Sequence, residues 1–555
     1  MKNTIEKAIA EALAALGAGE VSFVVERPAL EHGDYSTNAA LAAAKFLKKN
    51  PREVAGELAE KLKGKIEGIE KIEIAGAGFI NFWLSREALI KEVAAAQEKD
   101  WGRNDLCKDK TILVEYTSPN LFKPLHIGNL IGNILGESIA RLLENAGAEI
   151  KRLNYPSDIG LTVAKGVWGL LKTKGNPEDI AALGAAYVAG NVAYEDGTAK
   201  IEIEEINKAL YENTNAQWSE LRKKGIETSR RHLDELCEKL GTKFDKEFFE
   251  SDSSPLGQKI VREHMGNVFV ESEGAVVYHG AHIRVFLNSQ GLPTYEAKEL
   301  GLFDLKSKAY PDFDVSYTVT GSEQKDFFAV VFDAIKKVFP DRVSGKVLQH
   351  ISNGFLKLTT GKMSSRLGNV ITGESLLEDL QTAAKEKMQG RELPDVDTVA
   401  EQVAVGAIKY AALRQGSGRD IMFDPEKSLS LEGDSGPYLQ YAHTRALSLV
   451  KAAQQAGIKS WSSDDQLSEM PEKATALERV LIHFPEVVAR AAQELEPHYV
   501  TTYLTELAAT FNSWYASERV IGGPHPKSGL LLATAVEQTL ASGLHLLGIP
   551  APEKM

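Results

Sequence analysis

The chain is 555 residues long, 43% hydrophobic and 25% charged, with a net charge of −13. Such a length fits roughly three or four domains with enough core to fold unaided. Two distant cysteines, Cys107 and Cys237, exclude a disulfide framework or a four-cysteine zinc site and suit a reducing cytoplasm, and the acidic balance excludes a protein that coats nucleic acid with its whole surface.

The opening MKNTIEKAIAEALAALG carries Glu6 and Glu11 among its apolar residues, so it reads as an amphipathic helix and not as a secretory signal. No run approaches the ~18 apolar residues of a membrane span, and none is expected. A Gly/Pro-marked loop (ERPALEHGDYSTN) and a second helical stretch precede KIEIAGAGFINFWLS, which alternates around a glycine turn. Residues 1–105 therefore read as a small N-terminal α/β domain, joined to the next by the polar link WGRNDLCKDK. Two basic clusters, Lys45, Lys48, Lys49 and Arg52, then Arg222, Lys223, Lys224, Arg230 and Arg231, read singly as solvated helix faces, and together as the patches open to RNA.

From Thr111 the character changes. TILVEY is a buried-strand run; the loop TSPNLFKPLHI follows, then a helix with Leu130, Ile131, Ile134, Leu135, Ile139, Leu142 and Leu143 at helical spacing and Gly147 as its stop. Strand, loop and long helix make half of a βαβ unit, so residues 106–394 are expected to form a Rossmann-type parallel-sheet domain, with an insertion around 165–275. Strand-like runs recur at AVVYH, IRVFLN and DVSYTVTG. Residues 395–555 are almost wholly helical in pattern and predict an α-helical bundle.

Two segments carry chemistry. His126-Ile127-Gly128-Asn129 lies where the strand-loop gives way to the helix, which exposes free N–H groups and the positive end of the helix dipole to phosphates. Gly361-Lys362-Met363-Ser364-Ser365-Arg366-Leu367-Gly368-Asn369 is a glycine-bounded basic loop whose Lys362 and Ser364 suit charge developing on a pyrophosphate. Singly, these are also an ordinary helix start and an exposed turn.

In this order the pair resembles the two signatures of class I aminoacyl-tRNA synthetases, with room between them for a modest insertion and not for a large editing domain. Glu115-Tyr116-Thr117-Ser118-Pro119-Asn120, Lys123-Pro124-Leu125-His126, GLPTYEAKELGL (291–302), VTGSEQKDFF (319–328) and LRQGSGRDIMFDPEKSLSLEGDSGPYLQYAHTR (413–445) are similar to segments of the arginyl-tRNA synthetase family. EHGDYSTNAA, GAGFINFWLS and the ending LLGIPAPEKM extend that similarity over nearly the whole chain.

The resemblance implies an enzyme that activates L-arginine with ATP and Mg²⁺, without zinc, and transfers it to the terminal adenosine of tRNA(Arg). A cytoplasmic monomer with no membrane partner is expected. It implies ATP binding by His126, Gly128, Asn129, Lys362, Met363 and Ser364, and catalysis by His126, Asn129, Lys123, Lys362 and Ser364. It implies arginine binding by Glu115, Asn120, Tyr295, Glu299 and Gln324, a set whose chemistry suits a planar, cationic guanidinium. Asn154, Asp158 and Gly160 match a substrate-side loop. Asn81 matches a contact to the tRNA elbow. Tyr438, Tyr441 and Arg445, at i, i+3 and i+7 on one helix face, match anticodon contacts or, on spacing alone, a packing stripe. Four positions depart from the pattern: Asn129 stands for a second histidine, Ser365 for a second lysine, Glu299 for an aspartate and Ser157 for a glycine. Lys123 is the expected substitute for the missing lysine. The alternatives are another class I synthetase and a non-catalytic tRNA-binding relative.

Overall fold

In the computed structural model, residues 1–359, 372–390, 393–461, 465 and 470–555 are described. They fall into two compact units, each built from separated stretches of chain. One comprises Met1–Gly102, Tyr441–Val487 and Tyr503–Gly543; the other Arg103–Gln440, Val488–Thr502 and Leu544–Met555.

The first unit begins with a helix, Lys2–Ala15, which buries Ile5, Ile9 and Leu13 at helical spacing. Its antiparallel sheet contains β1 (Val25–Glu26), β2 (Tyr35–Thr37), β3 (Ile69–Ala75) and β4 (Phe79–Leu84), in the order β1-β2-β4-β3. The β3–β4 hairpin turns at Gly76–Gly78 as the glycine pattern predicts, with Ala75 opposite Phe79. Gly33 precedes β2 with φ 108°, and a Cβ there would stand 2.7 Å from the Phe82 carbonyl oxygen, so only glycine lets the chain pass so close. Asp34, 1% exposed, then accepts the Leu84 N–H at 2.8 Å and ion-pairs with Arg479 of the helix Ala476–Leu481. Tyr35 meets the His483 ring edge-on at 5.2 Å, and Arg86 pairs with buried Glu478 at 2.7 Å. The GDY motif thus joins the N-terminal sheet to helices almost 450 positions later.

In the second unit, β5 (Thr111–Glu115), β6 (Glu149–Asn154) and β7 (Lys246–Glu247) run parallel. A three-stranded antiparallel sheet follows, with β8 (Val270–Ser272), β9 (Ala275–His279) and β10 (Ile283–Leu287). Then β11 (Val315–Gly321) and β12 (Val347–Asn353) complete a five-stranded parallel sheet in the order β12-β11-β5-β6-β7. This is the doubly wound order expected of a Rossmann-type domain. Strand order reverses between β5 and β11, and ligands bind such sheets at the carboxyl ends flanking that reversal.

The insertion consists largely of the helices Leu161–Thr173, Ile180–Glu195, Lys200–Glu212 and Ala216–Lys239, packed around Leu170, Leu183, Ile203 and Phe122. Beyond 395, the helix Val396–Leu413 and β14 (Ile421–Phe423) stay in this unit, because β14 pairs in parallel with β13 (Leu356–Leu358). Buried Lys409 donates to the Leu240 and Gly548 carbonyls, and Ser138 to that of Leu546. The end of the chain is thereby fastened to the parallel-sheet unit, so packing does not divide the chain at 394/395.

Candidate active site

After Glu115 the chain enters a loop in which Thr117, Ser118 and Phe122 all have left-handed φ values, 76°, 39° and 67°. Such conformations cost about 1–3 kcal/mol each and persist only where surroundings impose them. Here Asn129 Nδ2 donates to the Thr117 carbonyl at 2.7 Å, Asn133 Nδ2 to the Thr117 hydroxyl at 2.9 Å, and the Ser118 N–H to Asn154 Oδ1 at 3.2 Å. The Phe122 N–H donates to the Ser229 hydroxyl, and its ring, 1% exposed, lies between Gly166 and Gly225. A Cβ on either glycine would stand 2.6 or 2.2 Å from that ring, so both must be glycine for the ring to seat.

The loop delivers His126 as the N-cap of the helix Ile127–Asn145, its Nδ1 accepting the Gly128 N–H at 3.1 Å. Burial and the neighbouring Lys123 hold the imidazole below its ordinary pKa, so it is neutral near pH 7. With Nδ1 an acceptor, the ring proton sits on Nε2. The cleft wall at this point offers the positive end of the helix dipole and an imidazole donor, suited to phosphate, while the Gly128, Asn129 and Leu130 N–H groups are donated to His126 itself.

Opposite this wall the cleft, about 660 Å³ in volume, is floored by carboxylates. Glu115, at the end of β5 and 2% exposed, pairs with Lys306 at 2.9 Å. Glu250 pairs with Lys298 at 2.5 Å, both buried. Glu299 is half-buried, and no hydrogen bond or ion pair reaches it among the described residues. Burial, then repulsion from Glu115, pushes its carboxyl well above the usual range.

Glu115, Asn120, Tyr295, Glu299 and Gln324 all line this one cleft, together with Lys123, His126, Gly128 and Asn129. Tyr295 is 61% exposed at its rim. Lys123 stands 5.8 Å from the Tyr187 ring centre, and burial lowers its pKa. Asn129 lines the cleft while one of its amide hydrogens is donated to the Thr117 carbonyl and supports the loop. Lys362, Met363, Ser364 and Ser365 lie outside the described residues.

Asn154 and Asp158 do not line the cleft; they brace it. Asn154 bridges Ser118 to Glu247, and Asp158 holds Arg222 at 2.5 Å and Ser251 at 2.7 Å. Arg222 and Arg230 are thus engaged by carboxylates, Arg230 by Glu247, which leaves the second basic cluster smaller than the sequence suggests.

Glu250, Lys298 and Lys306 escaped the sequence reading, as did His350. The His350 ring stacks on Phe328 at 4.8 Å and meets the Thr320 hydroxyl at 2.8 Å, and burial pushes its pKa down to about 4. Within the segments already singled out, Lys298 and Glu299 adjoin, and the three charges of the EAKELGL run, on a helix start otherwise apolar, were the available signal.

Asn81 is 3% exposed in β4, and its Oδ1 accepts the Ser36 hydroxyl at 2.7 Å, so in this structure it serves the sheet interior. The helix Gly436–Gln455 carries Tyr438, Tyr441 and Arg445, all half-buried. The Arg445 guanidinium lies over the rings of Tyr441 and Tyr515, at 4.7 and 5.2 Å, and donates to Asn512.

Three family models match the chain in succession. They are the arginyl tRNA synthetase N terminal domain over residues 3–84, the class I (R) tRNA synthetase catalytic domain over 91–424, and the DALR anticodon binding domain over 439–555. The arginine–tRNA ligase of Pyrococcus furiosus is 30% identical, the match covering 100% of this chain and 99% of the relative. That of Clostridioides difficile is 29% identical, with 100% and 99% covered. The solved arginyl-tRNA synthetase of Thermus thermophilus superposes with a TM-score of 0.82 at 29% identity, over the full length of both chains. On these matches, which span the doubly wound sheet and the acidic cleft, the chain belongs to the class I arginyl-tRNA synthetase family.

Proposed function

We propose that this chain is an arginine–tRNA ligase, and that the cleft at the carboxyl ends of β5 and β11 performs both steps of the reaction. The observation carrying this reading is the convergence, in one cleft, of an unpaired half-buried carboxylate and a helix N-terminus. The guanidinium of L-arginine sits against Glu299 and Glu115, with Asn120, Tyr295 and Gln324 fixing the rest of the amino acid. ATP lies with its phosphates at His126, Gly128 and Asn129; magnesium, brought with ATP, would supply further positive charge against the departing pyrophosphate. The arginine carboxylate oxygen attacks the α-phosphorus, and the bond to the β-phosphate bridging oxygen breaks. Lys123 and, on the sequence pattern, Lys362, Met363 and Ser364 hold the departing pyrophosphate. The 2′-hydroxyl of the terminal adenosine of tRNA(Arg) then attacks the acyl carbon and AMP leaves.

Residues 1–105, 106–394 and 395–555 are assigned to the tRNA elbow, the chemistry and the anticodon respectively. Tyr438, Tyr441 and Arg445 are the anticodon candidates, and aromatic rings with a guanidinium suit unstacked bases. Asn81 is assigned to the elbow on its match to the family alone. A cytoplasmic monomer is the working form. ATP–pyrophosphate exchange with each amino acid, tRNA present, tests the reading. Arginine should drive exchange and L-citrulline, its neutral isostere, should not. Glu299→Gln should raise the arginine KM by about 2–5 kcal/mol of lost binding. Equal exchange with citrulline would refute the acidic-pocket reading.

A further inference from the structure

The floor of the cleft has a charge arithmetic of its own. Three carboxylates, Glu115, Glu250 and, just behind the lining, Glu296, repel that of Glu299. Those three are matched one to one by cations. Lys306 lies 2.9 Å from Glu115, Lys298 lies 2.5 Å from Glu250, and Arg284 lies 3.6 Å from Glu296. Both lysines are nearly fully buried, at 6% and 5% exposure, so each is committed to its partner and unable to swing into solvent. Of these four, Glu299 alone has no ion pair among the described residues, and Lys306 acts on it only from beside Glu115.

We propose that Lys306 and Lys298 are specificity-determining positioning residues: each neutralises one carboxylate, leaving the cluster around Glu299 a single unbalanced negative charge that matches a side chain carrying one positive charge. This rests on the arginine reading above and deepens it. A pocket with three unbalanced carboxylates would hold protons or inorganic cations in place of the substrate, since like charges in a poorly hydrated site do not all remain ionised. A pocket with none would lose its preference for a guanidinium over a neutral urea of the same shape. With one, substrate binding completes the neutralisation.

The pH dependence follows. The Glu299 carboxyl is held high, so part of the population is protonated at neutral pH, and the guanidinium favours the ionised form. Arginine affinity must therefore rise with pH through the raised pKa and level off above it. The other titratable groups facing this floor are Tyr155, Tyr211 and Tyr295. Desolvation raises Tyr155 and Tyr295, which stay neutral. Tyr211 faces Lys298 at 5.9 Å. Lys123, His126 and Glu323 complete the charged and titratable lining of the cleft, and His126 is held below its ordinary range, away from the Glu299 step.

The test is calorimetric titration of the full-length protein with L-arginine and L-citrulline, from about pH 5.5 to about pH 9, in buffers of differing ionisation enthalpy. The unsubstituted protein should show one step, the arginine Kd falling up to about tenfold per pH unit and then levelling, with no more than one proton released. Lys306→Met leaves a second unbalanced carboxylate, so the profile should follow two ionisations, steepening to as much as about a hundredfold per unit. Lys298→Met should behave alike. Glu115→Gln frees Lys306 to face Glu299, and should move the single step to lower pH; this variant keeps the proposal testable if the lysine variants fold poorly. Profiles unchanged in Lys306→Met and Glu115→Gln, with arginine still preferred to citrulline, would overturn the lysine assignment alone. Equal affinity for arginine and citrulline in the unsubstituted protein would overturn the arginine reading and the proposal with it.

Discussion

Phe122→Ala separates what the loop before His126 contributes to stability from what it contributes to substrate binding. The ring is 1% exposed, and truncating a buried phenylalanine costs about 3–5 kcal/mol. Its removal also frees position 122 from the insertion helices, so that residue can leave its left-handed conformation and return about 1–3 kcal/mol, while Thr117 and Ser118 stay held by Asn129, Asn133 and Asn154. The net loss of stability should therefore fall short of that for Phe313→Ala, an equally buried ring with no strained loop attached. The relaxed loop carries Asn120 and Lys123 away from the cleft, and the arginine KM should rise at least about tenfold, roughly 1.4 kcal/mol. Gly225→Ala drives a methyl group to within 2.2 Å of the ring and should raise the arginine KM in the same sense. Urea unfolding and arginine-dependent pyrophosphate exchange, run on all three variants, read both quantities. A Phe122→Ala protein that loses as much stability as Phe313→Ala while keeping its arginine KM would refute the reasoning, and leave the ring an ordinary core residue.

Other outcomes follow from particular contacts. Lys123→Ala should lower the adenylation rate about 10²–10³-fold with tRNA affinity unchanged, and adding Ser365→Lys should restore part of it; near-normal exchange in the single variant would remove Lys123 from the chemistry. Asp34→Asn should destabilise its unit by about 3 kcal/mol, the lower end for a broken buried pair because Arg479 is a fifth exposed, and should leave the arginine Kd alone; wild-type unfolding would contradict the joint. Tyr438→Ala, Tyr441→Ala and Arg445→Ala should each weaken tRNA binding by about 1–3 kcal/mol, measured by filter binding, and unchanged affinity in all three would return them to helix packing.

The strand, loop and helix from Thr111 to Asn145 were legible because an apolar run, a glycine-marked helix start and helical spacing agree. The β3–β4 hairpin was legible from alternation around its glycines. The strands Glu149–Asn154 and Val347–Asn353 were not singled out: EIKRLN interrupts its apolar residues with charges, and VLQHISN, on the sheet edge, is half polar. The candidate pocket was readable as a set of residue types, and all five arginine candidates do line one cleft. What balances their charge was not. Lys306 stands 191 positions from Glu115 and Arg479 stands 445 from Asp34, and no local pattern links residues so far apart. Asn81 shows the converse, a recognisable position whose side chain turns inward to Ser36.

The central claim is tested most directly by incubating the purified protein with ATP, magnesium and total tRNA, and measuring acid-precipitable radiolabel from each amino acid in turn. The account predicts that arginine is joined to tRNA in a form labile to mild base, with AMP and pyrophosphate released, while lysine, citrulline, methionine and valine stay at background. Charging with a different amino acid, or none with arginine while the protein still binds tRNA, would contradict it.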